Sequence, residues 1–136
     1  MTSIKQDALA QQNQGMSIIA IADKGSDTIT VTGKTVSTDR DVTFRVTSPS
    51  GNNVVSVDQI SPDNDGNFVK EFKVGPTWTE NGFYEITAMQ GIGKNSLYTL
   101  NVLVEVANGM TERTSVTESN MEGIFTLNKN NAATDA

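Results

Sequence analysis

Cysteine and histidine are both absent from the 136 residues. Those two absences remove the best side-chain nucleophile and the commonest general base. They also remove the thiolate and imidazole ligands on which transition-metal sites depend, and no disulfide can brace the fold. Basic residues number 10 against 16 acidic ones, a net charge of −6. A nucleic-acid partner asks for a basic stripe, so none is expected. No apolar run approaches the roughly 20 residues with which a helix crosses a bilayer. Phosphate-loop, dinucleotide and nucleophile-elbow patterns are missing too. Gly91-x-Gly93 lacks the third glycine and the following helix, and reads as a hairpin turn. The expectation is a chain that is not an enzyme and holds no cofactor, with one oxygen-ligand exception taken up below.

What the chain does have is alternation. The stretch from Ser61 to Met89 reads as turn, strand, turn, strand, and holds five of the eight aromatic residues, so the core is expected to centre there. Asp63-Asn64-Asp65-Gly66-Asn67 is a dense turn signal, because Asp and Asn bond to nearby backbone and Gly tolerates positive φ. Phe68, Lys70, Phe72 and Val74 then share one face at period two. Lys70 thus falls on the core side, where it either snorkels to the rim or faces a carboxylate or Asn. Gly75-Pro76 ends that strand, since Pro cannot donate to a ladder. In the next strand Tyr84, Ile86 and Ala88 alternate with Phe83, Glu85 and Thr87. Tyr84 lies two residues before a core position, the spacing of a tyrosine corner, although an ordinary strand Tyr has the same surroundings.

Further strands are expected over Met16 to Ala22, Thr28 to Thr32 (ending at Gly33), Asp41 to Thr47, Val54 to Ile60 at an edge, and Leu97 to Val106. The last is the longest, with Tyr98, Leu100, Val102, Val104 and Val106 facing inward. Short strands set off by turn signals, with no sustained helical period, predict an all-β fold. The fold class expected is an Ig-like antiparallel β-sandwich of about seven to eight strands. Residues 16–107 form the sandwich, residues 1–15 a polar arm, and residues 108–136 an extension. In that extension Thr111 to Ser119 reads as extended, and Gly123 to Leu127 as one further strand.

Met16 to Ala22 is unusual among these strands. Met16, Ile18 and Ala20 lie on one face, but Ile19 and Ile21 lie on the other. A sheet with one wet face alternates apolar with polar, so this strand needs cover on both sides. A neighbouring loop or the C-terminal extension supplies that cover, or else another subunit does. On the second reading Met16, Ile18, Ile19 and Ile21 are the self-association residues, and the partner is a further copy in a head-to-tail polymer.

Two smaller features carry candidate sites. Asp63, Asp65 and Asn67 resemble the opening of a calcium loop, though Gly66 stands fourth where such loops put glycine sixth, and Val74 replaces the twelfth-position Glu. A plain turn is the competing reading. Trp78 lies in a loop, where it either plugs one end of the sandwich or marks a contact, since Trp is enriched at interface hot spots.

The segments ITVTGKT, DVTFRVTSPSGNNVVSVDQISPDNDGNF and NGFYEITAMQG resemble the Ig-like domains of secreted surface proteins of archaea, the ammonia-oxidising lineage above all. The matching pieces are Thr30 to Gly33, Phe44 to Gly51, Asp63 to Phe68 and Gly82 to Ile86, within residues 16–106. The resemblance implies an extracellular, non-catalytic module at the cell surface and assigns no binding residues. Ala8-Leu9-Ala10 has the small-x-small form of a signal-peptidase site, but Met1 to Asp7 holds no apolar stretch, so no signal peptide is expected in this chain. The function expected is structural: a module that self-associates through its terminal strands as a filament, pilus or surface-layer subunit. The alternative is an adhesion or ligand-binding module that uses loops at one end, such as 61–67 and 75–82, to meet other surface proteins.

Overall fold

In the computed structural model, residues 15–91 and 98–120 are described. In most strands alternating sequence becomes alternating burial. The strands are β1 (Met16–Ala22), β2 (Thr28–Thr35), β3 (Val42–Thr47), β4 (Val54–Ile60), β5 (Asn67–Lys73), β6 (Gly82–Gln90), β7 (Tyr98–Ala107), β8 (Met110–Thr111) and β9 (Thr114–Ser119). They form two antiparallel sheets, ordered β5-β2-β1-β9 and β4-β3-β6-β7-β8. The pairings β2 with β5, β3 with β6 and β6 with β7 correspond to B–E, C–F and F–G of an Ig sandwich. The count exceeds seven to eight because β8 and β9, drawn from beyond residue 107, join the two sheets.

The core is the shared inner face. Phe44 of one sheet meets Phe68 and Phe72 of the other, with ring centroids 6.0 and 5.5 Å apart. Met16, Ile18, Ile29, Val31, Val42, Val46, Tyr84, Ile86, Val104 and Val106 fill the space around them. At one end Tyr84 does form a corner: its hydroxyl donates to the Glu80 carbonyl at 2.7 Å and accepts the Glu80 N–H at 3.0 Å. Val54–Ile60 takes the expected edge position, beyond β3.

One strand boundary differs from the expectation. β2 does not stop at Gly33 but continues to Thr35. Gly33 pairs with Ile18 on one side and Phe68 on the other, and the buried Phe68 ring lies over its backbone. A Cβ there would run into the ring. The glycine therefore marks a close approach inside a strand, the second meaning Gly has in sheets, and not a turn.

Strand direction sorts the connections into two poles. Residues 36–41 and 61–66 cap the pole where β1 begins. Residues 23–27, 48–53, 74–81 and 108–109 cap the other. β9 runs back along β1 and ends beside its start, so the Asn120 N–H donates to the Met16 carbonyl at 3.0 Å. Both exits from the described fold thus sit at one pole. The expected strand over Gly123 to Leu127 and the arm before Gly15 lie outside the described residues.

Candidate functional site

The two-faced β1 turns out to be an inner strand. β2 and β9 of the same chain take both of its hydrogen-bonding edges. Met16 and Ile18 point inward and are buried in the chain's own core. Their place among the association residues is therefore corrected: parity assigns them to the inter-sheet space. β9, from the C-terminal extension, takes the second edge of β1 but leaves its outer face uncovered.

Ile19 and Ile21 remain on the outer face of the four-stranded sheet. Cross-strand register puts Val69, Thr32, Ile19 and Thr117 in one row, and Glu71, Thr30, Ile21 and Ser115 in the next. Neighbours in a row stand about 4.8 Å apart. Ile21 is 46% exposed and Val69 52%, while Ile19 is half-buried between its neighbours. The charges of these rows and the adjoining one, Lys34 and Glu71, sit on β2 and β5. The β1–β9 half of these rows is therefore methyl and hydroxyl only. Such a surface loses little polar hydration when another surface covers it.

Three other expected sites are placed by the same structure. Trp78 is 5% exposed and stacks on Tyr84, with centroids 4.7 Å apart. It plugs the pole next to the tyrosine corner, and its reading as a contact residue is withdrawn because a covered ring has no face to offer. Asp63 aims one carboxylate oxygen at the backbone N–H groups of Asp65 (2.9 Å) and Asn67 (2.8 Å). That is the self-bonded Asx geometry of a plain turn. Among the described residues no three acidic side chains gather as a cation cage. One Asp63 carboxylate oxygen is thus spent on its own turn. Lys70 reaches the rim, half-buried, and pairs with Asp58 at 2.5 Å, joining β5 to β4 across the gap between the sheets. Loops 61–66 and 74–81 cannot act together, because one strand, β5, separates them and puts them at opposite poles.

Sequence reasoning missed one fully enclosed polar side chain. Gln90 is fully buried. Its oxygen accepts from the Thr35 hydroxyl at 2.5 Å, and its NH₂ donates to the carbonyls of Ser37 and Arg40, both at 2.9 Å. A Gln at a strand end is an ordinary surface residue by composition. Its one signal was parity, since it shares the inward face with Tyr84, Ile86 and Ala88.

At the far pole four loops are tied together. Glu80 accepts from Ser50, at its N–H and its hydroxyl (both 2.9 Å), and from the Asn53 amide at 3.4 Å. Asn81 accepts from the Asn108 N–H, Val74 donates to the Asp27 carbonyl, and Thr111 donates to those of Asp23 and Ser26. The Ser50 backbone N–H, then its hydroxyl, holds the Glu80 carboxyl below its ordinary 4.5. Hydrogen bonds from Thr28 to Asp27 and from Lys70 to Asp58 likewise lower those groups from 3.8. Carboxylates with depressed folded values stabilise fully above their unfolded values and lose that contribution as pH falls through the folded ones. Thermal unfolding followed against pH is therefore predicted to hold level above about 4.5 and to decline below it, by a modest amount because all three groups are exposed. A midpoint unchanged down to pH of about 3 would contradict this.

No family model, curated protein or solved structure matches the chain. The likeness to archaeal surface modules therefore rests on the sequence segments alone.

Proposed function

We propose that the chain is a non-catalytic structural module of a cell surface, which meets further copies of itself through the outer face of its four-stranded sheet. One observation carries the reading: Ile19, Ile21 and Val69 lie together in an outward, mostly uncharged array. The thin acid–base inventory supports a structural role over a catalytic one. The resemblance to secreted Ig-like domains supports an extracellular setting. Like meeting like across this face closes as a dimer. The same face laid on the outer side of the five-stranded sheet, where Val54, Phe83 and Leu103 are exposed, propagates as a filament.

The test is association measured by light scattering and sedimentation over a concentration series. Assembly is expected for the natural chain. Ile19→Lys and Ile21→Lys are each predicted to weaken it about tenfold, or about 1.4 kcal/mol, with little change in melting temperature. A natural chain that stays monomeric throughout, or variants that assemble unchanged, would sink the proposal. A second reading has its own support in the tied pole. Loops 48–53, 74–81 and 108–109, braced by Glu80 and Asn81, form a rigid platform opposite the chain's two exits, which suits adhesion to another surface protein.

A further inference from the structure

The two outer faces of the sandwich differ in relief and in charge. On the four-stranded side a hollow of about 330 Å³ lies between Ser17, Ile19, Thr32, Lys34, Asn67 and Thr117. The short side chains of Ser17 and Thr32 leave it open, standing opposite Lys34 and Ile19 across the β1–β2 ladder. Its rim carries one base, Lys34, which has no ion pair among the described residues. On the five-stranded side Phe83 and Leu103 are 54% and 50% exposed. Register sets Glu105 opposite Phe83 and Glu85 opposite Leu103, and Glu118 of β9 lines the same patch. Arg45, opposite Thr87, is the one base among the outward residues of β3, β6 and β7.

Neither face suits a copy of itself. A hollow laid on a hollow encloses a void, and the atoms lining a void lose their contacts. The Phe83 patch laid on itself brings its three glutamates against their own copies, and like charges across an interface oppose association. Each face suits the other. The apolar pair has a hollow to enter, and the unpaired Lys34 meets carboxylates in place of water. Resting on the self-association proposed above, we infer that Phe83 and Leu103 of one copy seat in the Ile19 hollow of the next, with Lys34 facing the glutamate rim. The two outer faces point in opposite directions, so a copy that has gained one neighbour still offers a surface to another. Such a contact is heterologous, and it runs on as an open filament unless the rotation between copies closes a ring.

Complementation between two variants of the full chain tests this. Ile19→Lys spoils the hollow and Phe83→Lys the patch, with Leu103→Lys as a second patch variant. All three positions face outward, and a Lys at 83 stands opposite Glu105, so folding is retained. Each variant alone is expected to associate about tenfold more weakly than the natural chain. Ile19→Lys and Phe83→Lys are then mixed in equal amounts, at a concentration where each alone sediments as a monomer. They are expected to form a one-to-one pair that grows no further, because each supplies the face the other lacks. Patch variants that assemble as strongly as the natural chain would overturn the inference and leave the Ile19 face as a like-with-like contact. A mixture that stays monomeric while the natural chain assembles would overturn it as well. A natural chain that is monomeric at every concentration would sink the association itself, and this inference with it.

Discussion

Replacing Gln90 by Leu is expected to lower stability by about 2–4 kcal/mol, although the side chain keeps nearly the same volume. The loss comes from what is left behind. The Thr35 hydroxyl loses its partner at a buried contact, and the Ser37 and Arg40 carbonyls lose theirs at part-buried ones. A buried polar group left unpaired costs about 1–3 kcal/mol, more than a typical hydrogen bond contributes net. For a domain of this size the melting midpoint should fall by roughly 10–20 °C. Chemical denaturation should show a lower midpoint with little change in slope. A drop below about 1 kcal/mol would mean that the connection between β2 and β3 relaxes to find other partners.

Gly66→Ala is expected to cost as much or more, about 3–5 kcal/mol, for two separate reasons. Gly66 has φ of +86°, which L side chains rarely adopt, and a Cβ there would press on the Thr35 carbonyl. The turn cannot move away cheaply, because the Thr35 N–H donates to the Gly66 carbonyl at 2.8 Å. Equilibrium denaturation of the variant would check the figure. Thr35 is thus shared: its backbone holds the 61–66 turn and its hydroxyl holds Gln90. The Gln90→Leu and Gly66→Ala effects should therefore fail to add, since both act through one residue.

Much of the fold was legible because a strand's period of two is visible in any run with one wet face. Thr28 to Thr32, Asp41 to Thr47 and Tyr98 to Val106 reveal their inward residues directly. The tyrosine corner was legible from spacing alone. What could not be read was lateral order. Nothing local to Met16–Ala22 says that β9, about a hundred residues later, lies beside it, because pairing partners are chosen by global packing. Gly33 misled for a related reason: a glycine that ends a strand and one that sits under an aromatic ring look alike until the ring's strand is placed. Trp78 took the plug reading of the two its loop position offered, whereas Met16 was over-read as a contact, since large apolar residues near a chain end serve cores at least as often as interfaces. Parity alone pointed Gln90 inward, and its importance was hidden because it lies in three partners contributed by the β2 end and the connection to β3. Of the candidate association face, Ile19 and Ile21 were readable from parity, whereas Val69 and Thr117 joined them only through register.

The rung between Asn120 and Met16 bears on how the module takes a load. Tension applied through the two flanking segments would pull adjacent antiparallel strands apart from their shared end. Hydrogen bonds in such a ladder lie across the strands, so this geometry loads them one after another, like a zipper. Strands pulled from opposite ends would instead share the force in shear. A surface array of these modules would therefore be expected to carry mechanical stress across its faces, with the backbone path through each unit yielding first.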